Sequence, residues 1–288
     1  MKIRIVSPAK AIDQSKLDFA EGWLSSLGFQ VEISPNAGGQ LNYFSGTDEE
    51  RLNDLQDALD DPELDVILCS RGGYGTVRII DQLDFTKFSQ KPKKLIGYSD
   101  ITVLHNRLTK LGLESIHATA PLNFEENTTE ALDSLVAAIS NKPIRHEVIP
   151  YSLNRKGTAT AKVVGGNLAI IASLIGTNDD LNIEGKILFI EDVGEAVYAI
   201  DRMMWSLKKS GKLDHLAGLI VGGMTNMKDS EIPFGKTVHE VIDDIVKEYN
   251  YPVCYNFPAG HIDDNRAIIL NRMADLVVGD KEVIFSQL

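Results

Sequence analysis

Two features of this 288-residue sequence predict an α/β protein. Over residues 1–120, short apolar runs alternate with segments of helical spacing, which is typical of a parallel sheet covered by helices on both faces. After a polar stretch that contains prolines, strand and helix signals alternate again. We therefore expect an N-terminal α/β domain over 1–120, an interdomain connection over 121–157, and a smaller C-terminal α/β domain over 158–288.

Hydrophobic periodicity supports each element in turn. The expected strands and apolar strand-like segments lie at 3–6, 31–33, 65–69, 95–97, 158–164, 186–190 and 218–221, with short strands near the end. The expected helices lie at 15–27, 48–58, 76–82, from Asp100 onward, and at 128–139, 168–175, 196–209 and 238–249. Gly28 and Gly112 each follow a helical segment, where glycine is a common helix stop.

Charge and composition exclude several classes of protein. The chain carries 29 Lys and Arg against 41 Asp and Glu, a net charge of −12, which argues against a nucleic-acid partner. The first six residues alternate like a strand rather than a signal peptide, and the longest apolar run, 163–176, is too short to span a bilayer. Cys69 and Cys254 are far apart, and Cys69 ends an apolar run. We therefore expect a buried Cys69 in a cytoplasmic protein with no membrane partner.

A serine lies where a predicted strand turns into a predicted helix. An apolar run ends at Ile96, Gly97 permits a sharp turn, and helical spacing begins at Ile101. Ser99 can therefore project its hydroxyl into a cleft, where free N–H groups of the helix start stabilise an oxyanion. The segment departs from the Gly-x-Ser-x-Gly nucleophile elbow, because Ile101 replaces the second glycine. Serine is also a common helix cap, which is the structural alternative.

A nucleophilic serine needs a base, which is usually a histidine held by a carboxylate. Among six histidines, His261 lies in a glycine-flanked polar turn at 258–265, the kind of loop that displays catalytic groups. His117 is an alternative that could reach the carboxyl end of the sheet. His105 lies six residues after Ser99 on the same helix and is expected to point to another face. The other three histidines are expected to be solvated: His146, His215 and His239.

Acidic residues that could hold this histidine cluster just after one predicted strand. Glu191 directly follows the apolar run 187–190, at the end of the strand where ligands gather in such sheets. Asp192 and Glu195 are placed to cap the helix that starts near Ala196, where acidic side chains are favourable. The position at the strand end favours Glu191 as the acid, with Glu195 as the alternative.

No motif points to a cofactor or a metal. The segment Arg71-Gly72-Gly73-Tyr74-Gly75 lacks the Lys-Ser/Thr ending of a phosphate loop, and 235–237, which has that ending, follows Ser230 in place of the first glycine. Gly72-Gly73 instead allows backbone N–H groups to approach a ligand oxygen. His239-Glu240 lacks the second histidine of a metalloprotease, and there is no Cys/His cluster.

Five motifs, in order along nearly the whole chain, resemble the LD-carboxypeptidase family of serine peptidases. This family, also called muramoyltetrapeptide carboxypeptidases, includes the microcin C self-immunity peptidases. Each motif is a weak signal alone, but the set in this order is highly specific. The motifs are Ser70-Arg71-Gly72-Gly73-Tyr74-Gly75, Ile96-Gly97-Tyr98-Ser99-Asp100-Ile101-Thr102, Gly165-Gly166-Asn167-Leu168, Phe189-Ile190-Glu191-Asp192-Val193-Gly194-Glu195 with Ile200-Asp201-Arg202-Met203, and Gly260-His261.

The resemblance implies roles for individual residues. The nucleophile, acid and base of the implied triad are Ser99, Glu191 and His261. The implied oxyanion hole consists of the backbone N–H groups of Asp100 and Gly73. Asn167 is matched to a residue that contacts the substrate or shapes the site. Arg71 and Tyr98 are further candidates for substrate binding. His117 is followed by Ala-Thr-Ala-Pro, whereas many relatives carry His-Gly-Pro, which argues against a role for it.

An exopeptidase must also recognise a free terminal carboxylate, which suits the two-pronged guanidinium of arginine. Arg71 is the first candidate for this contact, and Arg78 and Arg202 are alternatives. Each of the three could instead form a structural ion pair.

The resemblance further implies a fold and a reaction. The family fold has an N-terminal α/β domain that resembles class I glutamine amidotransferases and a smaller C-terminal α/β domain, and the family habit is a homodimer. We expect no cofactor. Ser99 would come from the first domain, and Glu191 and His261 from the second. The implied reaction is hydrolysis of an L,D-amide bond, which releases a C-terminal D-alanine from murein tetrapeptides in cell-wall recycling.

Two other functions stay open at this stage. A microcin C-type peptidase that cleaves aminoacyl-nucleotide or peptidyl-nucleotide amides would need an aromatic side chain stacked on the base, and Trp205 is a poor candidate. A noncatalytic peptide-binding module could use the same cleft, but a complete set of three triad residues argues against it.

Overall fold

A computed structural model describes residues 1–288 and contains thirteen strands and eight α-helices. The strands are β1 (Lys2–Val6), β2 (Gln30–Ile33), β3 (Val66–Cys69), β4 (Lys94–Gly97), β5 (Ser115–His117), β6 (Ile144–Val148), β7 (Gly157–Asn167), β8 (Ile187–Val193), β9 (Gly218–Thr225), β10 (Val253–Cys254), β11 (Ile268–Leu270), β12 (Met273–Val278) and β13 (Val283–Gln287). The helices are α1 (Gln14–Ser26), α2 (Asp48–Asp60), α3 (Thr86–Gln90), α4 (Thr102–Lys110), α5 (Thr129–Ile139), α6 (Leu168–Ser173), α7 (Val197–Lys209) and α8 (Val238–Val246). None of these helices is long and apolar enough to cross a membrane.

The first sheet has six strands in the order β11-β5-β4-β3-β1-β2. β5, β4, β3, β1 and β2 run parallel, and β11 pairs with β5 in the antiparallel direction. The predicted α/β class with a parallel N-terminal sheet is therefore confirmed, while its likeness to glutamine amidotransferases stays a prediction. Parallel strands bring their carboxyl ends to one edge, so the residues after β3 and β4 lie side by side.

Helices cover both faces of this sheet because its central strands are apolar on both sides. In β3, Val66 and Leu68 join the core beneath α1 and α5, whereas Ile67 and Cys69 join the core beneath α2 and α4. This two-residue period is the consequence of a pleated strand. Cys69 is thus buried as predicted, and burial raises the pKa of its thiol.

The second sheet has seven strands in the order β10-β9-β8-β7-β12-β13-β6. Its parallel half, β7 to β10, packs against α6, α7 and α8, and β12, β13 and β6 extend it as an antiparallel half. In β8, Leu188 and Ile190 face the helices, and Ile187 and Phe189 face the opposite core. Glu191 follows them near the carboxyl end of the parallel half.

The chain returns to the first sheet after building most of the second. β11 pairs with β5 at the edge of the first sheet, and β12 then begins in the second sheet. In the other direction, α5 packs Leu135 and Ile139 into the core of the first sheet, while β6 lies at the far edge of the second. The two sheets are therefore held together by crossing segments as well as by packing.

The structure contains β5, β6 and α3, which the sequence pattern does not predict, and it changes two of the expected helical segments. The segment 76–82 forms two 3-10 turns, Thr76–Arg78 and Ile80–Gln82, because so short a segment closes i→i+3 bonds more readily than consecutive α-helical turns. The last helix ends at Val246 rather than at residue 249. Both differences concern helix ends and short turns, where local pattern carries the least information.

The expectation that His146 is solvated is wrong. It is buried in β6, where its Nε2 atom lies 2.8 Å from the Ala267 carbonyl oxygen and its ring stacks on Phe285. Strand alternation turns it inward, and burial lowers its pKa to about 4. His239 is also half-buried, whereas His215 is exposed as predicted.

A close contact joins the two halves where β7 meets the start of α4. Gly166 has a φ of +143°, and a Cβ atom built on it would lie 2.5 Å from Thr102 Oγ1. The Asn167 N–H donates to the same Thr102 oxygen at 3.0 Å. Because α4 follows Ser99 closely, this contact positions the second sheet relative to the serine.

We expect Gly166→Ala to destabilise the protein more than Gly112→Ala. Both glycines have positive φ, but nothing lies within 4 Å of a Cβ at Gly112, so that variant reports backbone strain of about 1–3 kcal/mol alone. At Gly166 the added methyl group also clashes with Thr102, at a cost of about 1–3 kcal/mol. The midpoints of thermal unfolding measure the difference, and equal midpoints would contradict a tight contact at Thr102.

Candidate active site

Ser99 occupies a strained turn at the carboxyl end of β4. Its φ is +65°, in the left-handed region that residues other than glycine rarely adopt. A 3-10 turn begins at Ser99 and leads into α4, and the serine is half-buried. A Cβ on Gly97 would lie 2.9 Å from the Ile101 side chain, so the glycine makes room for the isoleucine. The turn has the strand–serine–helix geometry of a nucleophile elbow without its second glycine.

His261 and Glu191 form a hydrogen-bonded chain with this serine. His261 Nε2 lies 3.1 Å from Ser99 Oγ, and His261 Nδ1 lies 2.7 Å from Glu191 Oε2. The backbone N–H of His261 donates to the same carboxylate oxygen at 3.2 Å. The structure thus brings together all three residues of the expected triad. Glu195 makes no such contact, and its backbone carbonyl accepts from the Lys228 N–H.

Glu191 is fully buried, and glycines make room for it. A Cβ on Gly260 would lie 2.7 Å from the Glu191 side chain, and one on Gly222 would lie 3.3 Å from Glu191 Cβ. Gly260 has a φ of +114°, and its N–H donates to Asn265 Oδ1 at 2.7 Å. The carboxylate is therefore held at one position, from which it orients the imidazole and stabilises its charged form.

The environment of His261 makes it a stronger base than the neighbouring histidines. Burial by itself would lower its pKa, but the charge and hydrogen bond of Glu191, with a smaller contribution from Asp192, outweigh burial and raise the pKa above the usual 6.5. Burial lowers the pKa of His105 to about 4 and that of His117 well below its usual value. His261 is thus the histidine near Ser99 whose protonated form the structure stabilises.

The two residues expected to form an oxyanion hole flank Ser99. A Cβ on Gly72 would lie 2.6 Å from Ser99 Cβ and 3.0 Å from the Asp100 nitrogen, so Gly72, the residue before Gly73, packs directly against the serine. The Gly73 N–H has no acceptor within the protein. Backbone donors beside a nucleophile are suited to hold the oxyanion of a tetrahedral intermediate.

Asp100 and Arg51 anchor the glycine-rich loop against this turn. Asp100 is buried, and its Oδ2 accepts from the Thr76 N–H at 2.8 Å, while burial raises the pKa of its carboxyl. Arg51 is also buried and donates to the Gly75 carbonyl oxygen at 3.1 Å. Sequence analysis does not single out Arg51, because it lies in a charged helix whose pattern carries no sign of a buried arginine.

Both polar atoms of the Asn167 side chain are hydrogen-bonded within the protein. Its Nδ2 donates to Asp192 Oδ1 at 3.0 Å, and its Oδ1 accepts from the Ile170 N–H at 3.1 Å and so caps α6. Asp192 also accepts from the Ala169 N–H at 2.9 Å, and burial raises its pKa to about 6. These contacts favour a positioning role for Asn167 over direct contact with a substrate.

Tyr98 packs against the candidate base. Its ring centroid lies 4.9 Å from that of His261, and its hydroxyl donates to Asn123 Oδ1 at 2.6 Å. The tyrosine is only 7% exposed, which leaves its ring edge to support the imidazole. His117 also packs against the Tyr98 ring, but it is fully buried and makes no hydrogen bond to Ser99.

Of the three candidate arginines, Arg71 lies nearest the serine in the fold, on the loop that packs against it. Its Nη1 donates to the Ala11 carbonyl oxygen at 3.0 Å, while its buried Nε has no partner. Arg78 forms an ion pair with Asp48 at 2.7 Å, and Arg202 is exposed on α7, where it lies over a tyrosine ring. Arg71 is therefore the arginine with free N–H capacity at the site.

Two residues that the sequence does not single out, Lys10 and Tyr43, pack against Gly73 of the glycine-rich loop. A Cβ on Gly73 would lie 2.6 Å from Lys10 Cβ and 3.3 Å from the Tyr43 hydroxyl. Lys10 Nζ lies 4.9 Å from the centroid of the Tyr43 ring. Both are distant from the glycine-rich loop in sequence, so no local motif marks them. No group of three or more His, Cys, Asp or Glu side chains is arranged to hold a metal ion.

Comparisons with known proteins identify the family. A family model described as the LD-carboxypeptidase N-terminal domain matches residues 3–118, and one described as the LD-carboxypeptidase C-terminal domain matches residues 160–276. A probable murein peptide carboxypeptidase of Bacillus subtilis is 31% identical over 98% of this chain and 90% of that relative. The murein tetrapeptide carboxypeptidase of Pseudomonas aeruginosa is 30% identical to this chain. The match covers 92% of this chain and 90% of the Pseudomonas protein.

Solved structures share the fold over the whole chain. The muramoyltetrapeptide carboxypeptidase from Oxalobacter formigenes has a TM-score of 0.91 at 26% identity, covering 100% of this chain and 98% of its own. The structure of MccF in complex with glutamyl sulfamoyl guanosine has a TM-score of 0.88 and covers 100% of this chain and 96% of the MccF chain. Because the two sequences are only 20% identical, this likeness shows the fold alone. The resemblance predicted from the five motifs is confirmed: the chain belongs to the LD-carboxypeptidase family.

Proposed function

We propose that this protein is a serine-type carboxypeptidase that hydrolyses the L,D-amide bond before the C-terminal D-alanine of murein tetrapeptides, in cell-wall recycling. The hydrogen-bonded chain from Ser99 through His261 to Glu191 is the observation that carries the proposal. A serine hydroxyl becomes a competent nucleophile when a positioned base takes its proton. The relatives named murein peptide and murein tetrapeptide carboxypeptidase support the substrate class.

The proposed reaction has two steps. Ser99 Oγ attacks the carbonyl carbon of the amide, and His261 Nε2 takes the hydroxyl proton and gives it to the leaving nitrogen, which releases D-alanine and leaves an ester on Ser99. A water molecule, deprotonated by His261, then hydrolyses the ester and restores the serine. Glu191 orients the imidazole and stabilises its cation in both steps.

The negative oxygen of each tetrahedral intermediate would bind the backbone N–H groups of Asp100 and Gly73. Packing of Gly72 on Ser99 supports this assignment, because it places the residue before Gly73 beside the serine. The anchors of the loop, at Thr76 and Gly75, hold these donors in place before substrate binds. Donors that are organised in advance contribute most when the charge develops.

Recognition of the substrate's free carboxylate is assigned to Arg71. Its position next to Gly72 and its unpartnered Nε support this role. A guanidinium binds a carboxylate through two parallel N–H groups, which would orient the D-alanine end toward Ser99. Tyr98 and Asn167 would then act on the substrate mainly through the shape of the site, as supports for His261 and for α6.

We also propose that the domains divide at 1–120, 121–157 and 158–288, so that the triad assembles across two domains. The separate matches of two family models, to 3–118 and to 160–276, support this division. Activity would then depend on how the domains pack, because a small displacement separates the nucleophile from its base. A cytoplasmic location and a homodimer are further proposals, taken from the family habit.

A nucleotide-cleaving activity of the microcin C type has less support. The MccF structures share the fold at low identity. Trp205, the aromatic residue considered for stacking on a base, is 41% exposed on α7, with Lys208 and Lys209 over its ring. A noncatalytic binding module would have no need for the complete hydrogen-bonded chain at Ser99.

We expect Ser99→Ala and His261→Ala to lower turnover of L-Ala-γ-D-Glu-meso-diaminopimelate-D-Ala by about 10⁴-fold or more, because nucleophile and base act as a unit. Glu191→Gln keeps the size of the side chain but removes its charge, and we expect a loss of about 10³- to 10⁴-fold. Mass spectrometry of the loss of one D-alanine measures turnover. Glu195→Gln is the matched control and should stay active.

Full turnover by Ser99→Ala would overturn the mechanism. An inactive Glu195→Gln together with an active Glu191→Gln would instead show that the acid is misassigned.

We expect Arg71→Gln to lower kcat/KM by about 10- to 100-fold, since losing a charge-assisted hydrogen bond costs about 1.5–3 kcal/mol. The loss should nearly disappear with a tetrapeptide whose terminal carboxylate is amidated, because that substrate offers no charge to bind. Arg78→Gln and Arg202→Gln are the matched controls. A loss specific to the free carboxylate in either control would move the contact to that arginine.

We expect the acidic limb of the pH profile of kcat/KM to have its midpoint above pH 6.5, because His261 must be neutral to accept the serine proton and its pKa is raised. The stability that its charged form contributes is fully present below pH 6.5 and is lost as pH rises through the raised pKa. Glu191→Gln should move the NMR titration midpoint of the His261 ring downward, since only the weaker effect of Asp192 then opposes burial. A midpoint that does not move would contradict the role of Glu191.

A further inference from the structure

A second cavity lies at the end of the first sheet opposite to Ser99. It has a volume of about 430 Å³ and lies at the amino ends of β4 and β5, which begin at Lys94 and Ser115. Its apolar wall is formed by Leu64, Leu113, Ile116, Ala138 and Ile269. A cavity of this size with an apolar wall and a few polar groups is suited to a small organic molecule.

The charge around this cavity is positive, although the chain as a whole carries −12. Its charged lining consists of four cationic and two acidic side chains: Lys91, Lys93, Lys94, Arg272, Asp65 and Glu114. A local excess of cations on an acidic protein attracts an anion in preference to a neutral or cationic molecule.

Three of the four cations already have partners within the protein. The pairs are Lys93 Nζ with the Leu59 carbonyl oxygen, Lys91 Nζ with the Pro62 carbonyl oxygen, and Arg272 with Glu114. Lys94 is half-buried, its ammonium has no hydrogen-bond or ion-pair partner, and burial lowers its pKa. The nearby Asp65 accepts instead from the backbone N–H of Lys2 at 2.8 Å. An unpaired, partly desolvated ammonium is unfavourable, and a bound anion would relieve that cost.

We propose that this cavity is a second ligand site, for a small molecule with an apolar body and one carboxylate or similar anionic group. The anion would bind Lys94 Nζ, and the body would pack against Leu113, Ile116 and Ile269. No residue of the proposed triad lines the cavity, so binding there does not depend on the proposed peptidase chemistry.

A path of hydrogen bonds joins this cavity to the turn that carries Ser99. Ser115 lines the cavity, and its Oγ lies 2.8 Å from His105 Nδ1, while His105 Nε2 lies 2.9 Å from the Gly97 carbonyl oxygen. A neutral imidazole can accept from the serine and donate to the carbonyl at the same time. A ligand that shifts Ser115 would therefore shift the residues just before Ser99. We expect occupancy to change turnover, an expectation that rests on the proposed function.

Titration of the ¹⁵N-labelled full chain with 4-phenylbutyrate, followed by NMR, tests the site. We expect shifts of the amide signals at 113–116 and 269. The affinity should be weaker by about tenfold or more for the neutral 4-phenylbutan-1-ol, and also for 4-phenylbutyrate binding to Lys94→Gln. Each change removes one charge of the pair. Lys94→Arg keeps the charge and should restore binding. Lys91→Gln is the matched control, since its ammonium already has a partner, and it should bind like the parent protein.

Three results would each overturn the site: no shifts at about 10 mM ligand, equal affinity for the alcohol, or unchanged binding by Lys94→Gln. Turnover of the tetrapeptide at saturating 4-phenylbutyrate tests the connection to Ser99. A change in kcat/KM that Lys94→Gln removes would support the connection, and unaffected turnover with a bound ligand would refute it. Absence of any turnover would count against the proposed function, while the NMR titration would still decide the site.

Discussion

The contact between His261 and the buried carboxylate of Glu191 is the interaction on which the candidate site depends. A carboxylate without solvent exposure is unfavourable unless donors and an opposite charge compensate it. Here the Nδ1 and the backbone N–H of one residue, His261, both bind Oε2. The same contact raises the pKa of His261. Displacement of this histidine would therefore remove the proposed base and leave a buried charge unpaired in one event.

Close approach of backbone to side chain gives the site its geometry. Gly72 packs on Ser99, Gly260 packs on Glu191, and Gly166 packs on Thr102, each at a distance that a Cβ atom would not allow. Two of these glycines, Gly166 and Gly260, also have positive φ. Glycine adopts a positive φ without steric clash, but it loses more conformational entropy on folding than other residues do. The surrounding hydrogen bonds and packing must offset that loss. The glycines thus help to position the residues of the proposed triad, although none of them carries a functional side chain.

The two sheets hold the triad together because the chain crosses between them more than once. Ser99 follows a strand of the first sheet, Glu191 belongs to the second, and His261 lies on the segment that precedes β11. β11 pairs with β5 in the first sheet before β12 enters the second. The loop that carries His261 is consequently attached at its end to the sheet that carries Ser99, which favours a constant distance between base and nucleophile.

Most of the elements and the three candidate residues could be predicted from the sequence, because strand alternation, helical spacing and ordered motifs are local properties. The sequence placed Ser99 at a strand end, Glu191 after an apolar strand and His261 in a glycine-flanked loop, and these three residues meet in the fold. Which buried polar groups compensate one another could be seen only in the folded protein. The inward turn of His146, the buried position of Arg51 and the free Lys94 arise from contacts between distant segments. Such contacts leave no periodic signal, since burial of a polar side chain depends on partners that the local sequence does not contain.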